Sequence, residues 1–187
     1  MQRREECFKN LIFVFFIIFF LWILLQFLAP IAIPHGAASD ISGLVFLSDN
    51  ENLITEINQP WSFVYSAGDR LCHQISDRSF FINGNQMPFC SRCTAIWLGL
   101  AIGLGFMVFY KVELNEKFIF FLIFSIIPIG IDGFGQLFGF WQSTNIIRVL
   151  TGLLIGLVCG VGLGVIIDEI KNMNFFQKKN NFNKKNS

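Results

Sequence analysis

The chain has 187 residues and a formal net charge of +1, and 53% of its residues are hydrophobic, 24 of them phenylalanine, against 14% charged. A soluble domain of this size cannot hide so much apolar surface, whereas lipid solvates it, so an ordinary soluble domain is excluded. Nothing in the sequence resembles a basic, aromatic-interleaved surface, which excludes a nucleic-acid partner.

Residues 1–33 comprise a basic polar start, MQRREECFKN, and an apolar run from Leu11 to Leu28 broken only by Gln26. At 1.5 Å per residue that run extends roughly 27 Å, close to the ~30 Å hydrocarbon core. Arg3, Arg4 and Lys9 would also suit a cleaved signal peptide, but the run exceeds the ~7–15 residues usual for one. The expectation is a retained first transmembrane helix that stops at Pro30 and Pro34; cleavage would leave the orientation of the rest unchanged. Cys7 reads as an ordinary free thiol, with acylation as the alternative.

Residues 34–93 form the only long polar segment. His35 reads as a loop residue, and Ile41 to Leu47 as a patch too short to span a membrane. From Pro60 onward, Trp61, Val64, Tyr65, Gly68 and Cys72 recur at helical spacing, predicting an amphipathic helix at the membrane surface that ends near Cys72. Asn83-Gly84 signals a β-hairpin turn, with Phe80 opposite Met87 and, if the ladder continues, Asp77 opposite Cys90. Pro88 confines the returning strand to an edge.

Residues 94–168 read as a three-helix membrane core. Thr94 to Tyr110 is the second span, with Gly99 and Gly103 at the small-xxx-small spacing of close helix contacts. After a charged turn, Phe118 to about Phe140 is the third span, interrupted by Pro128, Asp132 and Gln136. Ser143-Thr144-Asn145 supplies capping residues before the fourth, Ile146 to Ile167. Gly152, Gly156, Gly160 and Gly164 make a ladder along that helix, a face for tight packing or for a second copy of the chain. Cys159 within it reads as a small packing residue. Residues 169–187 are Asn/Lys-rich and are expected to be disordered.

With four spans, Arg3, Arg4, Lys9, Lys111, Lys117 and the five lysines of the tail fall on one side, and Arg70, Arg78, Arg92 and Arg148 on the other. That bias predicts a multi-pass cell-membrane protein with both termini cytoplasmic and the cysteine segment outside. The expected fold class is therefore an all-α membrane protein of four transmembrane helices, bearing a small extracytoplasmic Cys/His-rich head that contains a short β-hairpin.

Cys90-Ser-Arg-Cys93 immediately precedes a helix, whose first-turn N–H groups favour thiolates. Cys72 and His73 lie across the hairpin, so Cys72, His73, Cys90 and Cys93 make a chemically sensible zinc set. Adjacent Cys-His replaces the usual C-x-x-C of such sites. A thiol–disulfide centre resembling the quinone-linked disulfide-generating membrane enzymes, with quinone as its cofactor, is the alternative, and a static disulfide is the plainest reading. Metal stands slightly ahead, because the histidine is otherwise unexplained and three cysteines leave one thiol unpaired.

Inside the membrane, Asp132 and Gln136 share a helical face, and an antiparallel hairpin brings Arg148 within one turn of Asp132. A charge there is costly unless paired, so an Asp132–Arg148 pair is expected, serving equally well as a strut or as a ligand or proton site. Arg78 and Arg92 are candidate anion contacts, or partners for Asp69 or Asp77. A small transporter or ligand-binding protein is a further alternative, and the residues leave open whether any reaction is catalysed.

Cys72-His-Gln, Arg78-Ser-Phe, Cys90-Ser-Arg-Cys-Thr, Ile131-Asp-Gly, and Ser143-Thr-Asn with Arg148 and Thr151-Gly occur in this order. Together they resemble the prokaryotic membrane family called domain of unknown function 2085, over roughly Tyr65 to Gly164. Ala95 stands where a glycine is expected. The resemblance implies an integral membrane protein and supplies no activity.

Overall fold

In hydrocarbon a backbone must satisfy its own hydrogen bonds, and the four apolar runs do so as four long helices. The computed structural model describes the backbone of residues 2–185 and the side chains of residues 11–170. In chain order the elements are α1 (Gln2–Ala32), α2 (Glu51–Glu56), α3 (Trp61–Leu71), a 3-10 turn (Ser76–Arg78), β1 (Phe81–Ile82), β2 (Asn85–Gln86), α4 (Ser91–Phe109), α5 (Glu116–Leu137) and α6 (Asn145–Lys185). The stretches long and apolar enough to cross a membrane are Leu11–Ala32, Ser91–Phe109, Glu116–Leu137 and Asn145–Ile170. The protein is thus all-α apart from one small antiparallel hairpin, as the hydropathy pattern predicts.

α1 stops between its two expected stop residues, whereas α6 outruns its expected end. α1 continues past Pro30 to Ala32, because a proline so near the terminus forfeits one intrahelical bond and the helix has little left to lose. Asn85 then closes that end, its amide donating to the carbonyls of Pro30 at 2.9 Å and Pro34 at 3.0 Å. α6 runs on as helical backbone to Lys185, where the tail is expected to be disordered; residues 171–185 contain neither Pro nor Gly to stop it. Cys7 and the basic residues of both termini lie outside the described side chains.

α4 and α6 form the centre of the bundle through facing glycines. A Cβ on Gly103 would lie 2.8 Å from the Val161 nitrogen and 3.0 Å from the Gly160 Cα, and one on Gly156 only 2.9 Å from the Ile96 carbonyl carbon. The ladder at Gly152, Gly156, Gly160 and Gly164 is therefore filled by α4 of the same chain, which is the tight-packing reading of that face. Cys159 precedes Gly160 by one residue, about 100° around the helix, and is exposed rather than packed in the ladder. α1 packs on α4 through aromatics: Phe19 stacks on Trp97 at 5.7 Å, and Trp22 meets Phe89 and Trp97 edge-on at 6.0 and 6.2 Å. α5 is peripheral, burying Ser125, Asp132 and Gly135 while Phe120, Phe124 and Phe134 face outward, where lipid solvates them.

The head sits on the end of α1. Its turn residues Asn83 and Gly84 both take positive φ, 54° and 71°, as a two-residue hairpin of primed type requires, and Phe81 pairs with Gln86 and Ile82 with Asn85. The apolar side of α3 (Val64, Tyr65) faces a core shared with Ala29, Ile33, Ile41 and Ile54, so the helix is amphipathic as predicted but buries its apolar side in protein. Ile41 to Leu47 has no regular structure: Ile41 is buried there, while Phe46 and Leu47 are exposed.

β2 ties these parts together. The wholly buried amide of Gln86 donates to Ile41 O at 2.9 Å, Ser79 Oγ at 3.2 Å and Gln74 O, and accepts from Ile41 N at 3.1 Å. The Tyr65 hydroxyl donates to the Gln86 carbonyl at 2.8 Å, and burial pushes the phenol's pKa upward, so it stays a donor. Tyr65→Phe leaves that buried carbonyl without its donor, and a loss of about 1–2 kcal/mol is expected, read as a lower melting temperature in detergent. An unchanged melting temperature would show that the bond contributes nothing.

Candidate functional site

Three separated cysteines meet at the head end of α4. Cys72 ends α3 in an extended conformation (φ −144°, ψ 148°), and Gln74 takes a left-handed φ of 46° that turns the chain. Past the hairpin, Cys90 stands at the N-cap of α4 and Cys93 in its first turn. The sulfurs of Cys72, Cys90 and Cys93 lie within 4.8 Å of one another, with Cys72 buried and the other two half-buried. The Cys72 sulfur also accepts the backbone N–H groups of Cys90 at 3.3 Å and Gln74 at 3.5 Å. Donors aimed at a sulfur favour its thiolate, but at Cys72 the neighbouring thiols outweigh them.

Sulfurs this close do not ionise independently. Side-chain hydrogen bonding from Cys72, and next from Cys93, holds the Cys90 thiol far below the ordinary thiol range. The same bond, seen from its other end, pushes Cys72 up to about 11. A divalent cation overrides this sharing, since a coordinating thiol is deprotonated outright.

His73 is not brought into the cluster. In extended backbone, successive side chains point to opposite sides, so with Cys72 turned inward His73 is turned out and exposed. Its side chain borders a cleft of about 260 Å³ that all three cysteines also line. The expected Asp77–Cys90 register is also not formed. The ladder ends where Met87 N–H donates to Phe80 O at 2.9 Å, and the 3-10 turn then takes Asp77 away. Cys72 reaches the other thiols through α3 instead.

The intramembrane site is assembled differently from the sequence expectation. Asp132, its side chain 5% exposed, pairs with Arg92 of α4, not with Arg148. The glycine contacts draw the first turn of α4 tightly onto α6, so that a Cβ on Gly152 would lie 2.6 Å from the Arg92 carbonyl, and Arg92 reaches the α5 carboxylate directly. Gln136 bridges the rest: its Nε2 donates to Asp132 Oδ2 at 3.0 Å, and its Oε1 accepts from Arg148 Nη2 at 3.1 Å. Arg148 Nη1 donates to Asn145 Oδ1 at 3.1 Å, and that oxygen also accepts the Ser91 hydroxyl at 3.1 Å. Trp141 adds a long 3.5 Å bond to Asp132 Oδ1.

The predicted partners of the remaining charges also differ. Asp69 is buried and receives Asn50 Nδ2 at 2.6 Å rather than an arginine. His35 is an exposed loop residue, as expected, lying over the hairpin glycine Gly84. Arg78 has no carboxylate at ion-pair distance among the described residues, but it lines three clefts of about 450, 330 and 260 Å³. Arg92 borders the two smaller of these, and Arg148 borders the largest and the smallest.

Asn145 and Trp141 belong to the site without having been singled out for it. Asn145 is read from sequence as a helix cap, and only the pairing of α4 with α6 turns its side chain into a bridge. Trp141 is placed by Gly135, whose missing Cβ leaves room for the indole.

A family model described as a predicted membrane protein (DUF2085) matches residues 72–162, which include all three clustered cysteines, Asp132, Gln136 and Arg148. An uncharacterised protein of Methanocaldococcus jannaschii is 34% identical over 119 residues, covering 60% of this chain and 76% of that one. Another, from Methanothermobacter thermautotrophicus, is 34% identical over 103 residues, covering 55% and 89%. No solved structure matches the chain.

Proposed function

The chain belongs to the DUF2085 family of predicted membrane proteins, and we propose that within that family it is a multi-pass cell-membrane protein carrying a zinc centre on Cys72, Cys90 and Cys93. The observation that carries this reading is the approach of three sulfurs to within 4.8 Å, one of them already met by two backbone N–H groups. Thiolate sulfur is a preferred zinc ligand, and three such ligands leave one coordination position for a group that is not cysteine. The cleft of about 260 Å³ lined by the three cysteines gives that position access to an outside ligand, with His73 at its border. Three protein ligands with an open fourth position is the pattern of zinc sites that bind something further, rather than of closed structural ones.

The Arg92–Asp132–Gln136–Arg148 network lies beneath, and Arg92 is the chain neighbour of Cys93 in the first turn of α4. The distribution of basic residues supports cytoplasmic termini and an extracytoplasmic head. Lys111 and Asp168 pair at 3.4 Å at the other end of the bundle, which keeps the basic loop and the base of α6 on one side.

Protein purified in detergent without chelator is expected to carry about one zinc ion per chain, and Cys90→Ser to lose most of it, by elemental analysis. Metal-free wild-type protein would overturn the reading. A Cys90–Cys93 disulfide in aerated membranes would replace it with thiol–disulfide chemistry.

A further inference from the structure

We infer that Arg78, Arg92 and Arg148 form a binding site for a phosphate group at the head end of the bundle. The three side chains come from the 3-10 turn, the first turn of α4 and the first turn of α6, yet all three line the same cleft of about 260 Å³. No carboxylate lines that cleft or the one of about 330 Å³ beside it; Asp77 borders only the largest, of about 450 Å³. One guanidinium charge is met by Asp132, and the Cys90 thiolate on the same cleft offsets a second, which leaves the cluster with a net positive charge. Arg148 is only 6% exposed and its bonded partners, Gln136 and Asn145, are neutral. The Arg92 Nε is buried without any hydrogen-bond partner, so this guanidinium is not fully satisfied by the protein.

Charge and donor geometry together select the ligand: three converging guanidinium groups with a net positive charge suit an anion, and their forked donors suit a tetrahedral phosphate oxyanion. The depth matches as well, since Arg92 and Arg148 lie in the first turns of spanning helices, where headgroup phosphates sit. The cleft of about 330 Å³ is bordered by Leu137, which is 77% exposed on the face of α5 turned to lipid. A phosphate can therefore arrive on a lipid headgroup or free from solution.

The inference does not rest on zinc, and Arg78 is the residue to test, being exposed and paired with no carboxylate among the described residues. Full-length protein in a neutral detergent is titrated calorimetrically with inorganic phosphate, with dihexanoylphosphatidate and with dihexanoylglycerol. Binding of phosphatidate without binding of the uncharged glyceride is expected, with Arg78→Gln weakening it about tenfold and Arg78→Lys weakening it less. Inorganic phosphate binding as tightly as phosphatidate assigns the site to a soluble phosphate, and binding of phosphatidate alone assigns it to a headgroup. Equal affinity of wild type and Arg78→Gln, equal binding of the glyceride, or no binding of either phosphate would overturn the proposal. Zinc content measured on the same Arg78→Gln sample keeps a failure here separate from a failure of the metal reading.

Discussion

Gly156→Ile is expected to prevent the bundle from assembling. The first atom of any side chain at Gly156 would fall on the Ile96 carbonyl group, with 2.9 Å to its carbon and less to its oxygen. Both are backbone atoms of α4 and cannot rotate away, so α4 and α6 must separate along their length. In a membrane, close packing is most of what holds two apolar helices together, because lipid offers the same apolar surroundings to either one alone. Overpacking usually costs about 1–3 kcal/mol, and a clash with backbone on the central helix pair belongs at or beyond about 4 kcal/mol. Gly162→Ile is the control, since a Cβ there would meet only Phe118, at 3.9 Å. Size-exclusion profiles and melting curves in detergent should show Gly156→Ile aggregated and Gly162→Ile near wild type. A well-folded Gly156→Ile protein would mean that α4 and α6 do not approach as described.

Asp132→Asn is expected to be the most damaging change in the polar site. It leaves Arg92 positively charged with no counter-ion among the described residues, and it replaces one of the two oxygens that accept from Gln136 Nε2 and Trp141 Nε1 with an NH2 donor. Removing one partner of a buried pair costs about 3–5 kcal/mol, and the lower end applies here because Arg92 remains 24% exposed. Arg92→Gln in the Asp132→Asn background removes the orphaned charge and should recover a large part of the loss. The corresponding cycle with Arg148→Gln should show weaker coupling, since Arg148 reaches Asp132 only through Gln136. Stronger coupling to Arg148 than to Arg92 would restore the direct Asp132–Arg148 pair that the sequence suggests.

That contrast marks how much of the site can be read from the chain. Asp132, Gln136 and Arg148 are visible as charged or polar residues in apolar runs, and lipid makes each of them conspicuous. Their pairing is not visible, because it depends on how α4 is rotated and how closely it approaches α6. Taking the third and fourth spans as an isolated hairpin offers Arg148, rather than Arg92, as the partner of Asp132. The same limit applies to His73, whose adjacency to Cys72 in sequence suggests a shared site while extended backbone sends the two side chains apart.

Hydropathy and local turn chemistry by themselves determined the four spans, the Asn83-Gly84 hairpin with Phe80 opposite Met87, and the placing of Cys90 and Cys93 at a helix start, because each of these depends on residues within a few positions of one another. Only the tertiary structure decided that Cys72 completes a three-sulfur cluster without His73, that Arg92 takes Asp132, that Asn85 holds the head to the end of α1 while Gln86 ties the head's own loops together, and that the glycine ladder faces α4. Those contacts join segments tens of residues apart, and their geometry is set by the glycine-to-glycine approach of two helices, which no local pattern encodes.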